Sequence, residues 1–124
     1  KNIHEKRIII FTSLNNNKLK KLKQIGCEIV LVKKNTKGML SLKNIFNKIY
    51  KLKFSDLLVE AGGIFFSRLL KNNLVNEVHV FKTNFTIGPK GKSFILNGNF
   101  ANIKKKLIEK KKFDDNYYFK YHIK

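Results

Sequence analysis

Short apolar runs alternate along this chain with segments in which apolar residues recur at helical spacing. An uninterrupted apolar run bounded by polar residues is typical of a strand buried on both faces. The predicted strands cover residues 7–13, 27–32, 56–60 and 75–81. The predicted helices lie between them, at residues 19–25, 42–52 and 64–70. This alternation predicts an α/β fold with a mainly parallel sheet flanked by helices.

Glycines and small polar residues stand where these helices should begin and end. Gly26 follows the first helix, as a helix-ending glycine commonly does. Ser41 can cap the second helix, whose apolar residues follow the i, i+3, i+4, i+7 rule. Residues 72–73, both Asn, close the third helix. After the fourth strand we expect a loop over residues 85–98, with a short extended piece at residues 94–96.

The last part of the chain fits two structures. Ile103 and Leu107, set among lysines, fit a helix, whereas the aromatic run at residues 116–123 fits a strand. Residues 114–116 are Asp, Asp and Asn, which is a turn signal. The pattern therefore leaves open both a helix and a terminal antiparallel hairpin whose first arm covers residues 107–111.

The charge of the chain is strongly positive. Its 124 residues include 27 Lys and Arg, of which only Arg7 and Arg68 are arginine, and 8 Asp and Glu, so the formal net charge is +19. Lysines that neutralise phosphates drive nucleic-acid binding by releasing counterions. However, an A/T-rich genome also encodes Lys, Ile and Asn at free surface positions, and sequence-specific binding usually uses the Arg fork. We therefore expect no dedicated nucleic-acid partner. We expect instead that the positive electrostatic field of the chain attracts a phosphorylated substrate or cofactor.

Cysteine, histidine and hydropathy exclude several classes of protein. Cys27 is the single cysteine, so no internal disulfide can form and a reducing compartment fits. His4, His79 and His122 lack metal-ligand spacing, so we expect no metal site. No apolar run approaches the roughly 20 residues of a membrane span, and the first residues lack the apolar core of a signal peptide. We expect a soluble, cytoplasmic protein with one globular domain over residues 1–124.

The strongest local feature is an apolar strand that leads through an acid and two glycines into a helix. Residues 57–59 are apolar, and Glu60, Gly62 and Gly63 follow. Glycines let a phosphate approach the backbone, and the first amides of a helix are unpaired donors at the positive end of its dipole. A glycine pair between strand and helix is also common as a tight turn. Glu60, at the end of a buried strand, would need a ligand, an amide or a lysine as its partner.

This region resembles a known enzyme family. The reductase domain of the bifunctional riboflavin-biosynthesis deaminase/reductases is similar in the order and spacing of residues 57–65, 69–70, 74–78 and Gly88. That family has a fold similar to dihydrofolate reductase, and residues 7–13 and 107–123 resemble its cofactor-side strand and its closing hairpin. The resemblance favours the hairpin for the tail, and implies that residues 1–124 are the C-terminal portion of a pyrimidine reductase domain.

The resemblance also implies an activity and a site. The family reduces the ribosyl group of 5-amino-6-(5-phosphoribosylamino)uracil to a ribityl chain with a hydride from NADPH. It implies that Gly62 and Gly63 lie against the cofactor pyrophosphate and that Glu60 faces the substrate. Thr12 and Ser13 resemble positions on the adenosine side, although such hydroxyls cap a following turn about as often as they bind a ligand. The implied partners are a phosphorylated pyrimidine substrate and a second copy of the chain.

The chain departs from the family pattern at several points. Ala61 and Asn76 stand where the family commonly has Gly and Asp. The family's opening segment, with a Ser-x-Asp-Gly motif and a substrate-side lysine, would lie before Lys1, and the zinc-binding deaminase half has no match. The chain begins with Lys1 rather than Met, so we expect a fragment. Two alternatives follow: a non-catalytic basic module that binds a nucleotide or nucleic acid, and a truncated reductase that dimerises but does not turn over alone.

Overall fold

The first two apolar runs of the chain form neighbouring parallel strands. β1 (Ile9–Thr12) is followed by α1 (Asn17–Gln24), which leads back to β2 (Glu28–Leu31). The computed structural model describes residues 6–88, 90–91 and 100–124. Contacts divide the chain into two units, Lys1–Leu58 and Val59–Lys124. Whether the two units make up one domain stays a prediction.

The first unit is held together by its caps and a small apolar core. The Asn16 side chain accepts a hydrogen bond from the Leu19 amide at the start of α1, and Gly26 follows that helix with a φ of 94°. Ser41 accepts a hydrogen bond from the Asn44 amide and caps α2 (Leu42–Lys51), as predicted. The side chains with the least exposure are Leu19, Cys27, Val32 and Leu42. These four residues form the apolar core of this unit, in which α1 contacts β2.

The second unit combines one helix with an antiparallel sheet. α3 (Gly63–Lys71) precedes β3 (Glu77–Lys82), and the chain ends in β4 (Lys105–Phe113) and β5 (Asn116–Ile123). β5 is central, in the order β3-β5-β4. The core of this unit includes Leu69, only 1% exposed, together with Ser67 and Val78.

The predicted α/β fold with a C-terminal antiparallel hairpin is confirmed. The turn at residues 114–116 is present, with Asp114 at a φ of 49°, so the alternative of a terminal helix is wrong. Among the described strands, parallel pairing is confined to β1 and β2, because β3 pairs antiparallel with the distant β5. The extended piece expected at residues 94–96 lies outside the described residues.

The buried strand predicted at residues 56–60 is wrong. The chain there has no regular secondary structure, and Leu58 is 80% exposed. An apolar run forms a strand only where a neighbouring chain accepts and donates its backbone hydrogen bonds. None of the strands in residues 6–88, 90–91 and 100–124 pairs with this segment, so its apolar side chains remain in solvent.

An ion pair on the antiparallel sheet gives a pH prediction. The Lys120 ammonium donates to the Glu77 carboxylate at 3.0 Å, which lowers the pKa of Glu77 below its usual value near 4.5, and His79 contributes more weakly. The depressed pKa stabilises the fold above pH 4.5, and this contribution is lost as the pH falls through the folded pKa. Glu77→Gln should therefore lower the urea midpoint slightly at pH 7 and flatten its fall in acid, with the small size usual for exposed pairs.

The partner of Glu77 supplies the control. Lys120→Gln should lower the urea midpoint at pH 7 more in the native chain than in the Glu77→Gln variant, because the second chain has already lost the ion pair. Equal acid dependence in the native protein and in Glu77→Gln would show that this pair does not contribute to acid unfolding.

Candidate functional site

The start of α3 brings together three of the residues predicted to form a site. Gly62 is the N-cap residue, with extended backbone (φ −69°, ψ 163°), and its carbonyl accepts hydrogen bonds from the amides of Phe65 and Phe66 at 3.0 and 3.1 Å. Gly63 is the first residue of the helix, and Glu60 lies three residues before it. The prediction that this glycine pair opens a helix is confirmed.

The electrostatics of this helix start suit an anion. The first amides of a helix have no intrahelical acceptor and carry the positive end of the dipole. The first turn of α3 contains no acidic residue, and Gly62 has no side chain that could cap it. A Cβ placed on Gly62 would meet nothing within 4 Å. The backbone at Gly62 is therefore open on the side where a side chain would stand, next to amides that have no intrahelical acceptor.

Glu60 stands in a different environment from the one predicted. Its side chain is exposed, and it follows an irregular segment instead of a buried strand. Water satisfies an exposed carboxylate, so Glu60 does not have the need for a ligand, amide or lysine partner that the end of a buried strand would impose. The described residues give Glu60 neither a hydrogen-bond nor an ion-pair partner. This carboxylate is consequently available to a ligand near the start of α3.

Thr12 and Ser13 lie in the other unit, at the carboxyl end of β1. The Thr12 hydroxyl oxygen accepts a hydrogen bond from the Leu14 amide at 3.0 Å, so it caps the turn that follows the strand. The backbone carbonyl of Thr12 accepts a hydrogen bond from the Val32 amide at 2.8 Å, and this bond holds the end of β1 against the residue that follows β2. Both side chains are partly exposed. Their place at the end of a parallel pair is where α/β folds bind ligands.

Sequence reasoning missed a concave surface in the first unit. A cavity of about 510 Å³ lies beside the end of β2 and one side of α2. Its lining residues are Leu31, Lys33, Asn44, Asn47, Lys48 and Lys51. The signal was present as a polar stripe at i, i+3, i+4 and i+7 on α2, but such a stripe is ordinarily interpreted as a solvated face.

Two classes of feature are not found in the part of the chain that the structure describes. No group of three or more His, Cys, Asp or Glu side chains there could hold a metal ion. Among the same residues, no helix has the length and apolar character needed to cross a membrane.

Comparison with known proteins gives matches along most of the chain. A family model described as the RibD C-terminal domain matches residues 2–119. The riboflavin biosynthesis protein RibD of Aquifex aeolicus (strain VF5) is 31% identical over 80 residues, which make up 64% of this chain and 21% of that protein. The chain therefore spans only a small part of the length of this curated relative.

Solved structures resemble the chain in fold. Form 2 of Acinetobacter baumannii RibD superposes with a TM-score of 0.75 and 15% identity, over 94% of this chain and 31% of that one. A pyrimidine reductase-like protein from Corynebacterium diphtheriae has a TM-score of 0.71 and 18% identity, over 94% of this chain and 49% of that one. At such identities the likeness shows the fold, which is the dihydrofolate-reductase-like fold that the resemblance predicted.

Proposed function

The chain belongs to the RibD C-terminal domain family, and from that premise we propose that it is the NADPH-dependent reductase part of a riboflavin-biosynthesis protein. Its substrate is 5-amino-6-(5-phosphoribosylamino)uracil, whose ribosyl group becomes a ribityl chain. The curated relative with which it shares 31% identity is a riboflavin biosynthesis protein, which supports the pathway.

The observation that carries the proposal is the start of α3. Gly62 and Gly63 stand where the first amides of the helix have no intrahelical acceptor, with open space in place of a side chain on Gly62 and a first turn without a carboxylate. A dinucleotide pyrophosphate carries two negative charges, and the N-terminus of a helix is a common binding place for such a group. The residues present therefore fit the cofactor at this position. Bound NADPH supplies the hydride, while the protein supplies binding and orientation.

The remaining site residues have roles that follow from their chemistry. Glu60 has a free carboxylate, which can accept hydrogen bonds from a hydroxyl or a ring N–H of the substrate and so orient it. The Thr12 hydroxyl accepts from Leu14 and keeps its own proton to donate, and Ser13 adds a second hydroxyl beside it. We assign these two side chains to the adenosine side of the cofactor. The excess of lysine attracts both phosphorylated ligands.

Replacing Glu60 with glutamine tests its role. In the longest natural protein that contains this chain, Glu60→Gln should lower kcat/KM for the pyrimidine by about tenfold or more, because a charged acceptor becomes an amide of the same shape. Steady-state NADPH oxidation measures this loss. Asp56→Asn is the matched control, since Asp56 is also exposed and, among the described residues, accepts a hydrogen bond from Ser55 alone. Normal turnover by Glu60→Gln would show that Glu60 does not orient the substrate.

The isolated chain distinguishes the proposal from its two alternatives. A truncated reductase should bind NADPH without oxidising it in the presence of substrate, and turnover by the 124-residue chain would contradict truncation. A nucleic-acid module should bind single strands with an affinity that falls steeply with salt and should show no thermal shift with NADPH. The homodimer implied by the resemblance stays a prediction, which sedimentation of the same chain tests.

A further inference from the structure

The cavity beside α2 has the size of a small-ligand site. Its volume of about 510 Å³ falls within the range of about 300–1,000 Å³ that is usual for ligand pockets. Three of its six lining residues are lysines, two are asparagines, and Leu31 is the apolar member, with 54% of its surface exposed. None of these residues belongs to the set assigned above to the cofactor or the pyrimidine.

Local structure explains why these residues line the same hollow. Asn44, Asn47, Lys48 and Lys51 are spaced i, i+3, i+4 and i+7, so they form one stripe along α2. Lys33 follows the end of β2, and its carbonyl accepts a hydrogen bond from the Ser41 amide at 3.1 Å. This bond ties the end of the strand to the N-cap residue of α2. The strand side and the helix side of the cavity are consequently held together before any ligand binds.

In the part of the chain that the structure describes, the three lysines form no ion pair with a carboxylate. Residues 6–58 contain two acidic side chains, Glu28 and Asp56. The Glu28 carboxylate binds Arg7 at 2.7 Å, and Asp56 accepts a hydrogen bond from Ser55. None of the ion pairs among the described residues includes a lysine that lines the cavity. Each of the three lysines adds one positive charge beside this hollow, so an anion with several charges is attracted to it more strongly than a singly charged one.

The lysines themselves supply the attraction for an anion at this place. Lys48 and Lys51 lie in the last turn of α2, where the negative end of the helix dipole stabilises cations and does not itself attract an anion. Their ammonium groups each have three donors, and the carboxamides of Asn44 and Asn47 can donate as well. Phosphate oxygens accept such bonds in number, and charge-assisted bonds are the stronger kind. The donor set matches a phosphoanhydride better than a single carboxylate.

We propose that the hollow between the end of β2 and α2 is a second ligand site, which binds a small anion with two linked phosphates, such as pyrophosphate or the diphosphate of a nucleotide. The lysines bind the phosphates, the asparagines complete their hydrogen bonds, and Leu31 contacts the organic part of a nucleotide. The proposal is independent of the reductase assignment, because it rests on residues 31–51 of the first unit alone.

The test uses the whole chain and inorganic pyrophosphate, with ADP and adenosine as comparison ligands. Titration calorimetry is done in a Gly62→Asp background, so that the proposed cofactor site at the start of α3 does not contribute, and it should give one saturable site for pyrophosphate and for ADP and none for adenosine. The triple variant Lys33→Gln, Lys48→Gln, Lys51→Gln should bind pyrophosphate at least about tenfold more weakly. The control variant Lys20→Gln, Lys23→Gln, Lys43→Gln removes the same charge from exposed positions outside the cavity and should change the affinity by less than about twofold.

Amide NMR shifts of the native chain provide a second measurement that needs no variant. Pyrophosphate should shift the amides of Lys33 and of the α2 stripe more than those of α1. Equal weakening by the two triple variants would overturn the proposal and show that the general positive field binds the anion. The lack of shifts at Lys33 and at the α2 stripe, or an affinity that grows with the length of an oligonucleotide, would also overturn it, and the latter would indicate a nucleic-acid surface instead.

Discussion

Replacing Leu69 with alanine should lower the free energy of unfolding of the second unit by about 2–5 kcal/mol, the range for removing a buried leucine side chain. Leu69 is 1% exposed and lies inside α3. Alanine is at least as good a helix former as leucine, so the loss comes from packing and from the cavity left behind. Urea unfolding followed by tyrosine fluorescence is the measurement, because three of the four tyrosines, Tyr117, Tyr118 and Tyr121, lie in β5.

The same helix provides the matched control for Leu69. Ile64 also belongs to α3 but is 67% exposed. Ile64→Ala should change the free energy of unfolding by no more than about 0.5 kcal/mol, as exposed substitutions usually do. If the two variants had equal midpoints, the side chain of Leu69 would not be part of the core of this unit.

Replacing Gly62 with aspartate should change stability and cofactor binding in opposite directions. The extended backbone at Gly62 accepts any residue, and its missing Cβ faces open space, so a side chain fits the fold. Aspartate is a better N-cap residue than glycine by a few tenths of a kcal/mol, so the urea midpoint should rise slightly. Its carboxylate would stand where the pyrophosphate is proposed to bind, and the Kd for NADPH should rise at least about tenfold.

Asparagine at the same position separates charge from size. Gly62→Asn caps the helix with a side chain of the same shape and no charge, so it should stabilise α3 similarly and weaken NADPH less than aspartate does. Fluorescence titration with NADPH and urea unfolding on the same samples give both quantities. Unchanged NADPH affinity in both variants would show that the glycine pair is a tight turn and nothing more.

The parts of the fold that the sequence predicted well are governed by near neighbours. The cap of α2 at Ser41 and the glycine after α1 depend on residues within one turn, and both are where the pattern places them. The pattern of the last part of the chain allowed either a helix or a hairpin, and only the family resemblance favoured the hairpin. Its turn at Asp114 uses a left-handed backbone conformation, which Asp tolerates better than most residues.

The pattern of apolar and polar residues does not indicate which strands pair when they are far apart in the sequence. The apolar run at residues 56–60 has the composition of a buried strand, but composition does not say whether a neighbouring strand lies beside it. For the same reason β3 was expected in a mainly parallel sheet, although its partner β5 comes from the far end of the chain and runs antiparallel. The prediction for Glu60 was affected in the same way. Glu60 is exposed because residues 56–60 do not pair with any of the described strands.

The lysines of β4 protect an edge of the antiparallel sheet from pairing with other chains. Among the described strands β4 pairs only with β5, so one row of its backbone donors and acceptors is open to other chains. Five of its nine residues are lysines. Two such edges repel each other, and charged residues on an edge strand are a common protection against intermolecular pairing. This protection weakens with salt, because the Debye length shrinks from about 10 Å at 0.1 M to about 3 Å at 1 M. The lysines of β4 thereby oppose edge-to-edge pairing between copies of the chain at low salt.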